Sequence, residues 1–190
     1  GRIRAAILVG PTASPFRATL DAATKRPRGV PVDLATALGE KLAAPVELVT
    51  FSNYVDFLDA GAHGQWDVTF ITFDEERTKV MDYGPVYYFF EFTYLVPAGS
   101  TIHNQGEMDR PGVRIAVAEG SVTARNREQA LRNASLVRIK TLVDIREQLR
   151  TGKVDGAAAS RDTLIGLAEQ VPGARMLEGH FHVEGVAVAV

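Results

Sequence analysis

Arg77 is the side chain with the clearest potential for binding chemistry. It follows a buried strand predicted over Asp67–Ile71 and lies early in a short helix predicted over Asp74–Val80. A guanidinium group in this place can hold a carboxylate through two parallel hydrogen bonds, with help from the start of the helix. The spacing equally allows a surface ion pair with Asp74, three residues earlier. Local spacing leaves both interpretations open.

Gly120 and Ser121 form a second candidate binding element. They follow a strand predicted over Val113–Ala118 and precede a helix predicted over Thr123–Asn133. A turn of this kind offers backbone N–H groups and a hydroxyl to an anion. Ordinary capping of the helix by Ser121 is the alternative, and the two roles are compatible.

Composition removes several other kinds of site. The chain has 190 residues and no cysteine, which excludes disulfides, thiolate zinc sites, iron–sulfur clusters and a cysteine nucleophile. Its 21 basic and 23 acidic residues argue against a strong polyelectrolyte contact with nucleic acid. No GxSxG or Walker sequence is present. His180 and His182 have the spacing of a metal pair, but a solvated strand is the favoured interpretation, and we expect no metal and no cofactor.

The elements that position these residues alternate between strand and helix, which predicts an α/β fold of mostly parallel sheets flanked by helices. No internal repeat is evident in the sequence. Strands are predicted at Ile3–Val9, Val46–Thr50, Asp67–Ile71, Val113–Ala118, Leu136–Lys140, Val154–Ala159, Ala174–Leu177 and Val183–Val190. Helices are predicted at Pro31–Leu42, Tyr54–Leu58, Asp74–Val80, Thr123–Asn133, Leu142–Arg150 and Asp162–Gln170.

A long β-prone segment, Val86–Pro97, separates the two halves of this pattern. The stretch Ala98–Pro111 that follows is rich in residues typical of loops and is the best boundary signal. We predict one lobe made of residues 1–98 plus 183–190 and a second lobe of residues 99–182. Two such α/β lobes would form a ligand cleft between them, near the carboxyl ends of the strands.

The order of several motifs resembles one family of transport receptors. These motifs are GVPVDLATALGEKL, WDVTFITFDEERTKVMDYGPVYY, VRIAVAEGS, GKVDGAAAS and EGVAVAV. They follow one another as in family 3 extracellular solute-binding proteins, the periplasmic receptors of amino-acid-type ABC importers. The resemblance implies the two-lobed, type II periplasmic-binding-protein-like fold. It covers nearly the whole chain and is most specific between Asp67 and Tyr88.

The resemblance also implies roles for individual residues. Arg77 stands at the position of the family's carboxylate-binding arginine. Thr72 and Thr69 stand where the family holds the ligand's charged groups with small hydroxyl or backbone groups, although Thr69 also suits a plain strand position. Gly120 and Ser121 would reach the same carboxylate from the second lobe, so that ligand favours the closed form.

Aromatic side chains complete the expected ligand-binding set. Phe70 stands where many amino-acid binders carry a small residue, and it is either a core aromatic or a wall that narrows the pocket. Phe16, Tyr54 and Tyr88 could supply further apolar walls around the ligand.

Two departures from the family bear on the ligand. Ser160 stands where the amino-acid binders have an acidic residue that holds the ligand's ammonium, and Gly10-Pro11-Thr12-Ala13 replaces an acidic residue followed by an aromatic. A buried ammonium without a carboxylate partner is costly, so we expect a keto, hydroxy or aromatic acid in place of an α-amino acid. Asp162 or Glu184 could instead supply the missing carboxylate.

The resemblance therefore predicts a periplasmic or extracellular binding protein, without catalytic residues, that closes on a small carboxylate and presents it to an ABC transporter permease. We expect a monomer whose leader is absent from this chain. Relatives commonly continue past the position of Val190, so the first lobe is expected to be shortened at its C-terminus. The alternatives are a cyclohexadienyl-dehydratase-like enzyme, with Glu119 as its acid, and a ligand-sensing domain of a receptor.

Overall fold

The chain divides into two compact units. A computed structural model describes residues 1–11, 14 and 16–190. The first unit comprises Gly1–Phe89 together with Glu184–Val190, and the second comprises Phe90–Val183. The lobes predicted with a boundary at residues 98–99 stay a prediction. Each unit is described by itself.

The first unit is built around a short parallel sheet. Its strands are β1 (Ile3–Val9), β2 (Arg17–Leu20), β3 (Pro27–Arg28), β4 (Val46–Phe51), β5 (Val68–Thr72), the first part of β6 (Tyr83–Val96) and most of β11 (His182–Ala189). Its α-helices are α1 (Val30–Lys41) and α2 (Tyr54–Ala62), and a 3-10 helix covers Glu75–Lys79.

Strand β1 is central to this sheet. It pairs in parallel with β4, β5 and β2, and β11 runs antiparallel to β5 on the far side. All five residues of β5 are buried, as expected of a strand covered on both faces. Strands β2 and β5 both pair in parallel with β1. One sheet therefore carries both Arg17, at the start of β2, and the residues that follow β5.

Helix α1 shows how the sequence determines a local structure. A proline stands at its start, where the missing N–H costs no intrahelical hydrogen bond. Pro31, Ala35 and Gly39 recur every four residues and are buried. Ala35 packs in an apolar cluster with Ala5, Ile7, Val9, Ala18, Val68 and Phe70. This cluster fixes the strands that carry the candidate residues of the unit.

The second unit repeats the α/β arrangement. Its remaining strands are β7 (Arg114–Ala118), β8 (Ser135–Ile139), β9 (Gly156–Ser160) and β10 (Arg175–Met176). Its helices are α3 (Val122–Ala130), α4 (Leu142–Arg150) and α5 (Arg161–Ala168), with a 3-10 helix at Gln105–Met108. Strand β7 pairs in parallel with β8 and β9, and the second part of β6 pairs antiparallel with β9 and β10.

Each unit contains an equivalent arginine–aspartate ion pair at the start of its sheet. The backbone N–H and the guanidinium of Arg4 donate to Asp67, which directly precedes β5. Arg114 binds Asp155, which directly precedes β9, in the same way. Each arginine also donates to a glycine carbonyl three residues before its aspartate, Gly64 and Gly152 respectively. A structural repeat is thus present although the sequence shows none.

The predicted elements are largely confirmed, with shifts of up to four residues at their ends; the largest is at α2, which was predicted to end at Leu58 and ends at Ala62. Ile3–Val9 and Leu142–Arg150 have the predicted bounds. The helix predicted at Asp74–Val80 is a 3-10 helix of five residues, Glu75–Lys79. The short strands β2 and β3 were not predicted, because four and two residues give too little periodicity. Among the described residues, no helix is long and apolar enough to cross a membrane.

Candidate functional site

Arg77 is buried in the first unit. Its residue is only 4% exposed, and it lies in the middle of the 3-10 helix that follows β5. Asp74 caps this helix by accepting a hydrogen bond from the N–H of Glu76, and its Oδ2 lies 4.0 Å from Nε of Arg77. The ion pair anticipated from the spacing therefore exists, but it is buried and not on the surface. Burial makes every charge interaction here stronger than it would be in water.

The ring of Tyr54 lies beneath two guanidinium groups. The Cζ of Arg77 is 5.7 Å from the ring centroid, and the Cζ of Arg17 is 5.5 Å from the same centroid. Tyr54 is the first residue of α2, whose N-cap Asn53 accepts from the N–H of Asp56 and so fixes the start of the helix. Cation–π attraction stabilises each arginine at this ring, but it does not neutralise their charges.

Arg17 is the residue that the sequence analysis missed. It is 3% exposed, and its Nη1 donates to the carbonyl of Val9 at 3.2 Å. Its Nε has no hydrogen-bond partner, and no carboxylate lies within 4.0 Å of it among the described residues. The available signal was weak: a single arginine next to Phe16 and Ala18 in a short apolar stretch. Only the pairing of β2 with β1 brings Arg17 to Tyr54.

Tyr83 lies next to both Thr72 and Arg77. Thr72 is 1% exposed, and its hydroxyl has no hydrogen-bond partner among the described residues. The Tyr83 hydroxyl donates to the carbonyl of Thr72 at 3.4 Å and also shares a hydrogen bond with the side chain of Arg77. Burial raises the pKa of Tyr83, and the charge of Arg77 opposes that rise. Tyr83 was not anticipated from the sequence.

Thr69, Phe70 and Phe16 are also buried in the first unit. The Thr69 hydroxyl donates to the carbonyl of Ala6 at 3.0 Å and thereby links β5 to β1. Phe70 packs in the apolar cluster, which is the core arrangement of the two that the sequence left open. The ring of Phe16 lies 5.8 Å from Cζ of Arg17. Their ligand-binding roles stay predictions.

Gly120 and Ser121 lie in the second unit as predicted, directly before α3. The hydroxyl of Ser121 accepts from the N–H of Ala124 at 3.1 Å and donates to the carbonyl of Ala118 at 2.6 Å. Gly120 has a φ of 73°, a conformation that favours glycine. Helix capping is therefore present, and anion binding by this turn stays a prediction.

Ser160 is buried at the end of β9. Its hydroxyl donates to the Thr163 hydroxyl at 2.9 Å and does not cap α5. Asp162, in the first turn of that helix, has a pKa raised by burial, against the opposing charge of Arg161. The uncharged Ser160 is thus followed two residues later by a carboxyl group, that of Asp162.

The weaker candidates of the sequence analysis were Glu119, His180 and His182. Glu119 is exposed. His182 begins β11, whereas His180 precedes the strand, with Nδ1 3.6 Å from a carboxylate oxygen of Glu91. The described residues contain no cluster of three or more histidine and acidic side chains that could hold a metal ion. The stretch Gly10-Pro11-Thr12-Ala13 stands where the family resemblance implies an acidic residue followed by an aromatic. Its residues Thr12 and Ala13 lie outside the described residues.

Residues 6–147 match the family model of the bacterial extracellular solute-binding proteins, family 3. The match includes Arg17, Tyr54, Thr72, Arg77, Gly120 and Ser121 and extends over more than half of the chain. The chain belongs to this family. The resemblance predicted from the motifs is thereby confirmed.

Two glutamine-binding proteins are similar to this family 3 chain. A glutamine-binding protein of Geobacillus stearothermophilus is 26% identical over 168 residues, which are 85% of this chain and 63% of that protein. The ABC transporter glutamine-binding protein GlnH of Bacillus subtilis (strain 168) is 24% identical over 153 residues, or 80% of this chain and 55% of GlnH. The chain therefore spans less than two thirds of the length of either relative.

Solved structures share the fold of this family 3 chain. The arginine-bound, truncated form of ArgBP from T. maritima aligns with a TM-score of 0.86 at 20% identity, over 98% of this chain and 87% of that one. The ancestral amino acid-binding protein AncCDT-1, a precursor of cyclohexadienyl dehydratase, aligns at 0.84 and 21% identity, over 100% and 82% respectively. The predicted type II, two-lobed periplasmic-binding-protein fold is confirmed.

Proposed function

We propose that this chain is the solute-binding component of an ABC importer and captures a small carboxylate-bearing ligand by closure of its two lobes. The observation that carries the proposal is the pair of buried guanidinium groups, Arg17 and Arg77, over Tyr54. The protein would act outside the cytoplasmic membrane, as the family description of extracellular proteins suggests. The closed form would then be presented to a permease.

The charges of the first unit support an anionic ligand. Arg17 and Arg77 are two buried cations. A ligand carboxylate would offset positive charge in this buried place, which lowers the cost of burying the guanidinium groups. The Thr72 hydroxyl, which has no partner within the described residues, could donate to the same carboxylate. Ser121 and Gly120 would contribute from the second lobe.

The ligand class follows from the second unit. Ser160 is uncharged, so it offers no carboxylate to a ligand ammonium. A buried ammonium without a carboxylate partner is costly, so a keto, hydroxy or aromatic acid is the preferred ligand over a free α-amino acid. The relatives named above are glutamine- and arginine-binding proteins, so amino acids belong in the test.

Calorimetric titration of the purified protein with amino acids and their deaminated analogues tests the proposal. Tight, saturable binding of an acid, together with a matching rise in Tm, is the expected result. If neither the amino acids nor their deaminated analogues bind, the transport-receptor proposal is wrong. Conversion of prephenate to an aromatic product, followed by ultraviolet absorbance, would favour the dehydratase alternative.

A further inference from the structure

We propose that Arg17 is a second ligand-binding cation, which donates to an oxygen acceptor of the ligand close to the carboxylate held by Arg77. The proposal rests on the function proposed above and narrows its ligand class. The favoured ligands are small acids with an oxygen acceptor beside the carboxylate, such as 2-oxo acids. The corresponding α-amino acids, with an ammonium at that position, are disfavoured.

The burial of Arg17 is the first argument. Its residue is 3% exposed, yet only Nη1 has a hydrogen-bond partner, and Nε–H has none among the described residues. A guanidinium that served only the fold would be expected to pair with a carboxylate, because burying an unpaired charge is costly. An oxygen acceptor on the ligand would satisfy this donor.

The position of Arg17 is the second argument. Its Cζ lies 5.5 Å from the ring centroid of Tyr54, and that of Arg77 lies 5.7 Å from the same centroid, so a small acid bound at this ring would lie near both cations. No carboxylate lies within 4.0 Å of Arg17 in the part of the chain that the structure describes, whereas Asp74 lies at that distance from Nε of Arg77. An ammonium near Arg17 would meet a like charge at low dielectric, whereas a carbonyl or hydroxyl oxygen would be attracted.

A purely structural role makes a different prediction. Arg17 also contacts the ring of Phe16, so it could act as a brace between Phe16 and Tyr54. Loss of a brace would lower the stability of the ligand-free protein and weaken all ligands alike. A ligand-binding cation instead affects the preference between an oxo acid and the amino acid of the same carbon skeleton.

The test compares matched ligand pairs by calorimetry on the wild type, Arg17→Gln, Arg17→Lys and a control. The pairs are pyruvate and alanine, 2-oxoglutarate and glutamate, phenylpyruvate and phenylalanine, and 4-methyl-2-oxopentanoate and leucine. Arg26→Gln is the control, since Arg26 is an exposed arginine of the same chain segment. Far-UV circular dichroism and the Tm of each ligand-free variant establish that it is folded.

For at least one pair, the wild type should bind the oxo acid at least about tenfold more tightly than the amino acid. Arg17→Gln should lose about tenfold or more in affinity for the oxo acid, and its preference for the oxo acid over the amino acid should be smaller. Arg26→Gln should keep the wild-type affinity and the wild-type preference. If Arg17→Gln does not fold, Arg17→Lys carries the test: it keeps the charge but loses the planar fork, so oxo-acid affinity should fall while amino-acid affinity is retained.

The outcomes separate this inference from the function on which it rests. If the wild type prefers the amino acid, or if folded variants at position 17 keep the wild-type preference, Arg17 does not select the ligand and the inference fails alone. If the wild type binds no acid of the panel, both the inference and the proposed function fail.

Discussion

Arg17 and Arg77 belong to different elements of the first unit, yet both guanidinium groups lie over the ring of Tyr54, 5.5 and 5.7 Å from its centroid. Arg77 has the carboxylate of Asp74 close by, whereas Arg17 has no ion-pair partner among the described residues. The two arginines therefore differ in what their removal should do to the ligand-free protein.

Replacing Arg17 with methionine should leave the Tm of the ligand-free protein unchanged or raise it. Methionine fills a similar volume and removes a buried charge whose desolvation is not offset by a carboxylate. Differential scanning calorimetry at neutral pH measures the effect. A clear fall in Tm would mean that Arg17 braces the fold, against the binding role.

Arg77→Ala should abolish the rise in Tm that an acid ligand causes, because the charge-assisted hydrogen bonds to the carboxylate are lost. The expected loss of binding free energy is about 2–5 kcal/mol. Thermal shift assays with a ligand identified by calorimetry provide the measurement. Lys79→Ala is the matched control, since Lys79 lies on the same 3-10 helix and is exposed beside Glu76. A full ligand-induced shift in Arg77→Ala would show that Arg77 is not the anchor.

Thr72 and Thr69 provide a matched comparison on one strand. The Thr72 hydroxyl has no partner among the described residues, so Thr72→Val should weaken ligand binding and leave the stability of the ligand-free protein nearly unchanged. Thr69→Val removes the hydrogen bond to Ala6 and should instead cost about 1 kcal/mol of folding free energy. Urea unfolding and calorimetry on both variants test this. If Thr72→Val and Thr69→Val lowered the free energy of unfolding equally, the binding role of Thr72 and the structural role of Thr69 would be contradicted.

The ion pair between Arg114 and Asp155 should make stability depend on pH in the acid range. The hydrogen bond from the Arg114 side chain lowers the pKa of Asp155 below its ordinary value, so its contribution is present above about pH 4. That contribution is lost as the pH falls through the lowered pKa of the folded state. The difference in Tm between the wild type and Asp155→Asn should therefore shrink below about pH 4.

The control for this experiment is Asp155→Asn in an Arg114→Gln background, in which the ion pair is already absent. The Tm difference between Arg114→Gln and the double variant should show a smaller change in the same pH range. If the Tm difference between the wild type and Asp155→Asn stays constant from pH 7 to pH 2, the ion pair does not contribute to the pH dependence of stability.

Phe57 supports the helix that begins with Tyr54. It is fully buried, stacks on Trp66 at 5.2 Å between ring centroids and meets Phe51 edge-on at 5.8 Å. Phe57→Ala should lower the free energy of unfolding by about 3–5 kcal/mol, because it removes an aromatic ring and leaves a cavity. Val55→Ala, on an exposed position of the same helix, should change it by less than about 1 kcal/mol. Urea unfolding with an unchanged m-value measures both effects, and similar losses would contradict the packing described.

The sequence by itself determined the order of the elements and the family. Hydrophobic patterns, capping residues and glycine turns act over a few residues, so the segments Ile3–Val9 and Leu142–Arg150 could be located without any knowledge of the fold. Arg77 could be singled out because the motif around it is local, and Ser160 stood out because the family resemblance implies an acid at its position.

The tertiary structure alone decided which of these residues meet. Arg17 reaches Tyr54 because β2 pairs with β1, and this strand pairing leaves no local pattern in four residues. The alternatives for Phe70 likewise depended on which face of β5 packs against the apolar cluster. Burial and long-range pairing are properties of the folded chain. In the folded chain Arg17 is a buried cation whose Nε–H has no partner among the described residues, and a ligand oxygen could accept its hydrogen bond.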